Sequence, residues 1–206
     1  MPVSFAALPP AALDEVVSFA QRVPGVTALV LGHEVYQLGL QDVATGATID
    51  RARRVATRFV VEGDDKAIAM IETTVPTRAG SLAILGLLGA PGARDLYTAA
   101  ANVDESRFSR AAYELRVLHL PALYVSCLWF HASSDDVLVP YGALPATLSS
   151  KAYAPAAFFK AMKGLARKRV AAELEIQQGT KSHDAKRPPA TRRRATPRKR
   201  RRPRTK

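Results

Sequence analysis

The chain has 206 residues and a formal net charge of +12, and that charge sits in one place: residues 181–206 hold nine Arg and four Lys against one acid, Asp184, while residues 1–180 carry seventeen cations and seventeen anions. A body of this length buries one core without a disulfide or metal staple, and the lone cysteine, Cys127, excludes an internal disulfide and any Cys-x-x-Cys metal or redox motif. No basic segment precedes an apolar run at the N-terminus, and the longest apolar stretches, residues 81–91 and 120–130, are about half of the roughly 20 residues a membrane-spanning helix needs, which suggests a cytoplasmic protein without a membrane span.

In chain order, Leu13, Val16, Val17, Ala20 and Val23 recur at helical spacing and predict a helix over residues 9–23, stopped by Pro24 and Gly25. Residues 26–31 and 35–40 read as two strands set between Gly32 and Gly39. Dense Val, Ile, Thr and Phe over residues 54–62 and 66–75 predict a hairpin with a three-residue turn at Gly63, Asp64 and Asp65. The glycine-interrupted stretch 79–93 reads as a loop and short helix, residues 94–102 as a helix and 104–111 as a polar connector. Strands follow at 113–120, 122–132 and 136–141, the middle one apolar on both faces and therefore expected to be central and covered on both sides. Pro155 opens a final helix through Phe158, Met162, Leu165, Ala166, Val170 and Leu174 toward Gly179. The expected fold class is α+β: a single domain over residues 1–180 with a largely antiparallel sheet and flanking helices, then a disordered basic tail over 181–206, where large apolar residues are absent.

The tail sets Lys186, Arg187, Arg192, Arg193, Arg194, Arg198, Lys199, Arg200, Arg201, Arg202 and Arg204 among four prolines that prevent a stable helix. Such a segment tracks a polyanion by counterion release, without sequence preference, and with no aromatic residue in 181–206 there is no base stacking. Its composition is similar to the Lys/Arg, Ala and Pro tails of histone H1-like and bacterial nucleoid proteins; the resemblance covers the tail alone and implies a binding mode with a nucleoid-associated location. The heavy use of Ala and Arg fits a GC-rich bacterial coding bias. An anionic lipid surface is a further polyanion, though the tail has no Phe, Leu or Trp to insert. Lys160, Lys163, Arg167, Lys168 and Arg169 on the last helix either extend the cationic footprint or form a solvated face.

In the body, Cys127 and His131 share a strand face about 13 Å apart by strand rise, too far for a thiolate–imidazole pair, so Cys127 reads as a buried, inert thiol. His119 and His131, at strand ends, with Asp135 in the nearby turn and Asp136 at the start of the next strand, are the candidate catalytic residues, since a His–carboxylate pair suits general base work. The glycine-rich GSLAILGLLGAPG lacks the Lys and Ser or Thr of a phosphate loop, and no metal or cofactor motif is present in the sequence, so neither is expected. The reading favoured by the charge distribution is a non-enzymatic accessory or adaptor protein, tail on nucleic acid and body on a protein partner or a second copy. The alternative is a small enzyme using His119, His131, Asp135 and Asp136, with the tail serving only localisation.

Overall fold

Strand-forming residues alternate between the two faces of one sheet, and three amphipathic helices cover it. The computed structural model describes residues 3–4, 8–64, 66–77, 80–103 and 112–184. The elements are β1 (Val3–Ser4), α1 (Pro10–Ala20), β2 (Ala28–Gln37), α2 (Leu40–Thr45), β3 (Arg53–Gly63), β4 (Lys66–Thr73), β5 (Ile84–Leu88), α3 (Ala90–Ala101), β6 (Tyr113–Leu120), β7 (Val125–His131), β8 (Asp136–Tyr141) and α4 (Pro155–Asp184). Seven strands run in the order β5-β4-β3-β2-β6-β7-β8, and β1 pairs with the start of β6, ahead of the stretch that pairs with β2. The β2–β6 and β1–β6 pairings are parallel and the others antiparallel, which is the α+β class expected.

The period of two along each strand divides the core. On one face, Val60, Met70, Leu115, Val117, Leu128, Phe130 and Val139 pack beneath Ala93 and Leu96 of α3. The alternate residues face the other way. In the β3–β4 half, Phe59, Val61, Ala69 and Ile71 meet Ala12, Val16 and Ala20 of α1. In the β6–β8 half, Leu118, Leu120, Val125, Cys127, Trp129 and Leu138 meet Phe158, Phe159, Met162 and Ala166 of α4. Each large side chain so enclosed contributes about 1.5–3 kcal/mol of transfer free energy, and the paired layers bury β7 on both faces as its sequence demands.

Several local expectations change. Residues 26–40 form one bulged strand and a short helix in place of two strands: the β2–β3 register shifts between Val30 and His33, Leu31 takes φ 49°, and the bulge absorbs Gly32. Helix α2 was not expected because six residues carry only Leu40, Val43 and Ala44 as a pattern; Gly39 and Gly46 bracket it. The 54–75 hairpin forms, but Gly63 pairs with Lys66, so the turn has two residues, Asp64 at φ 47° among them. In residues 79–93 the structure has edge strand β5 followed by the start of α3, with Pro91 in the first turn. Strand β7 begins at Val125 because Pro121–Leu123 is a 3-10 turn and Tyr124 takes φ 54°. It is the neighbour of edge strand β8, not the centre of the sheet.

The compact body, Met1–Ala171, ends within α4. Helix α4 continues through the expected body–tail boundary to Asp184. The connector 104–111 and the tail from residue 185, with every tail residue singled out above for nucleic-acid contact, lie outside the described residues.

Candidate functional site

The four candidate catalytic residues separate. His131 and Asp136 are register partners across β7 and β8, and His131 Nδ1 lies 2.8 Å from Asp136 Oδ1. The same oxygen accepts a 2.8 Å hydrogen bond from Trp129 Nε1. Asp135 is engaged elsewhere, its Oδ2 accepting from Tyr113 Oη at 2.9 Å. His119 pairs with Ser126 near the opposite end of the β6–β7 ladder, five residues along from His131, and it follows Leu115 and Val117 onto the α3 face. By strand rise that is about 16 Å, on opposite sides of the sheet. The structure thus brings together one pair, His131–Asp136, and not the set. Cys127 is fully buried, and burial pushes its thiol well above the usual value, as its inert reading expects.

Between the α1 and α4 clusters the sheet carries a polar and aromatic network. Arg54 Nη1 pairs with Glu34 Oε1 at 2.7 Å, and Tyr36 Oη donates to Glu34 Oε2 at 2.7 Å. Arg116 Nη2 pairs with Glu114 Oε2 at 2.7 Å, and its guanidinium sits 5.1 Å from the Tyr36 ring and 5.0 Å from the Trp129 ring. Tyr36 and Trp129 meet edge to face at 4.9 Å. Burial, together with the bond to Glu34, pushes the Tyr36 phenol up to about 12. Each arginine of the network has a carboxylate partner, though Arg54 Nε and Arg116 Nε are buried with no hydrogen-bond partner among the described residues, and the stacked guanidinium ties together β2, β6 and β7 while the Arg54–Glu34 pair ties β3 to β2.

A second polar group lies on the α3 face and was not found in the sequence. His33 is completely buried and register-paired with Arg58, which forms an ion pair with Glu72. His33 Nδ1 donates to Leu31 O at 2.6 Å, which fixes the tautomer and leaves Nε2 as an acceptor with no partner among the described residues. Burial, reinforced by the Arg58 charge, lowers His33 to about 4, so the imidazole is neutral. His119 is lowered in the same direction, first by burial and then by Arg58, and its Nδ1 also has no partner among the described residues. Only the turn-prone Gly32 beside His33 hinted at this position; the bulge that turns His33 inward is a tertiary outcome.

On α4 the five cations do not form one face. At 3.6 residues per turn, Lys160, Lys163 and Arg167 lie on one side, whereas Arg169 falls close to the azimuth of Phe158 and Met162. Arg167 Nε donates to Ala44 O at 3.1 Å, and Lys163 Nζ would stand 2.7 Å from a Cβ built on Gly46. Arg167 thus satisfies a carbonyl at the C-terminal end of α2, and the Lys163 ammonium lies beside Gly46 at the same end. Gly46 has φ 97°, so Gly46→Ala combines a left-handed alanine with displacement of Lys163. It is expected to cost about 1–2 kcal/mol, read as a lower denaturant midpoint at unchanged slope. Beside this contact, Ile49, Phe159, Lys160 and Lys163 line a cavity of about 530 Å³.

No group of three or more His, Cys, Asp or Glu side chains is arranged to hold a metal ion, and no helix is long and apolar enough to cross a membrane, among the described residues. Comparison with protein-family models, with curated proteins and with solved structures found no match.

Proposed function

We propose that this is a non-enzymatic accessory protein, tethered to nucleic acid without sequence specificity by its polybasic C-terminal segment, while the α+β body engages a protein partner. The carrying observation is the segregation of charge: residues 181–206 hold the whole net +12, and residues 1–180 balance to zero. Dense cations spaced by proline present themselves along a phosphate backbone, and a neutral body avoids non-specific adhesion of its own. The candidate acid–base residues of the body are partly spent on one another, since Asp136 serves both His131 and Trp129 and Asp135 serves Tyr113. A cytoplasmic, nucleoid-associated location follows from this reading.

The test is fluorescence anisotropy on random duplex DNA and on single-stranded RNA, comparing the full chain with a chain ending at Thr180. Binding by the full chain and none by the shortened one is the expected result. Equal binding by both would overturn the proposal, and a preference for anionic vesicles over either nucleic acid would reassign the polyanion.

A further inference from the structure

The basic side of α4 has a use that the tail does not supply. Lys160 and Lys163, about one turn apart, line the cavity of about 530 Å³ that lies between the start of α4 and residues 46–50. Its floor is apolar: Ile49 and Phe159 are each only 7 % exposed. Its rim is cationic. The Lys163 ammonium stands beside Gly46, and neither Lys160 nor Lys163 forms an ion pair or a hydrogen bond among the described residues. Asp50, the one acid in the lining, already accepts from Thr48 Oγ1 at 2.9 Å. The amides of Ala157 and Phe158 are both taken by Ala154 O, so the lysines rather than the helix end supply the donors.

We propose that this cavity binds a small amphipathic organic anion, an apolar body ending in one acidic group, with Lys160 and Lys163 on the acid and Ile49 and Phe159 against the body. The charges set the sign: two ammonium groups against one carboxylate leave a single positive charge, which one anionic group neutralises. The volume sets the size, since about 530 Å³ falls within the roughly 300–1,000 Å³ of small-molecule pockets. The floor and the rim together set the class. An uncharged apolar molecule leaves both ammonium groups unanswered, and a bare inorganic anion leaves Ile49 and Phe159 uncovered. A ligand with both parts gains charge-assisted hydrogen bonds at one end and apolar burial at the other. This site belongs to the body alone and stands or falls independently of nucleic-acid binding by the tail.

The probe is anilinonaphthalene sulfonate, an apolar monoanion whose fluorescence rises in an apolar site, titrated into the full chain. Saturable binding at one site per chain is expected, displaced by octanoate and not by octanol, which shares the hydrocarbon and lacks the charge. Lys160→Met and Lys163→Met each remove one ammonium and keep an unbranched stem, and each should weaken the probe by about tenfold, the effect of one charge-assisted hydrogen bond. Ala156→Glu puts an acid at an exposed lining position in the first turn of α4, where the helix tolerates it, and should abolish binding. That variant keeps the test open should a lysine variant misfold, which circular dichroism reports. Residues 181–206 carry no aromatic or large aliphatic side chain and are present in every variant, so the tail contributes a constant background. Absence of a saturable site would refute the assignment. So would displacement by octanol as effective as by octanoate, or binding unchanged in all three variants.

Discussion

Raising monovalent salt from about 50 to about 200 mM should weaken binding of the full chain to random duplex DNA by about three orders of magnitude. The tail carries thirteen cations, and if half of them neutralise phosphates the logarithmic slope is about −5 to −6, at roughly −0.9 per contact on duplex DNA. Single strands should give a shallower slope of about −0.7 per contact. Because residues 181–206 contain no aromatic side chain, scrambling the DNA sequence should leave both affinity and slope unchanged. Exchanging all nine tail arginines for lysine should preserve most of the slope, which counts charges, while lowering affinity where guanidinium forks grip phosphate in pairs. A slope near zero, or a strong dependence on base sequence, would mean that the tail is not the binding element.

The arrangement of the sheet was legible in the sequence wherever a residue pattern and a burial pattern coincide. The β3–β4 hairpin, β6, β8 and α4 are such places: alternating or helically spaced apolar residues match the sides that pack. The misses have a common physical cause. β5 reads as a loop because Gly86 and Gly89 carry no side-chain signal, yet at an edge with open space above Gly86 a glycine costs little. β2 reads as two strands because Gly32 normally punctuates, whereas here a bulge carries the strand through. The candidate site divided for a related reason. His119, His131, Asp135 and Asp136 are close in the sequence pattern, but the parity of the β6–β7 register, which sequence does not display, sends His119 to the α3 face and His131 to the α4 face. The Arg116 stack and the His33–Arg58–Glu72 group depend on strands far apart in sequence and had no local signal.

That last group makes the body acid-sensitive in a way its sequence hides. His33 titrates at about 4 in the folded protein against 6.5 in a free chain. A depressed histidine pKa means that the unfolded chain binds the proton first, so the stability this group provides is complete above pH 6.5 and is lost as pH falls toward 4. The loss from pH 7 should be about 2 kcal/mol at pH 5 and about 3 kcal/mol at pH 4, a large share of the stability of an ordinary domain. The charges facing His33 do not reverse the sign: Arg58 opposes protonation, and Glu72 is already paired with Arg58. His119, shifted in the same direction, adds to the effect. Denaturant unfolding at pH 7 and pH 5 of the native chain and of His33→Gln, which keeps an N–H for Leu31 O but cannot ionise in this range, separates the contribution. The native midpoint should fall markedly between the two pH values and the variant midpoint far less. If both fell equally, the buried imidazole would contribute nothing to the acid sensitivity.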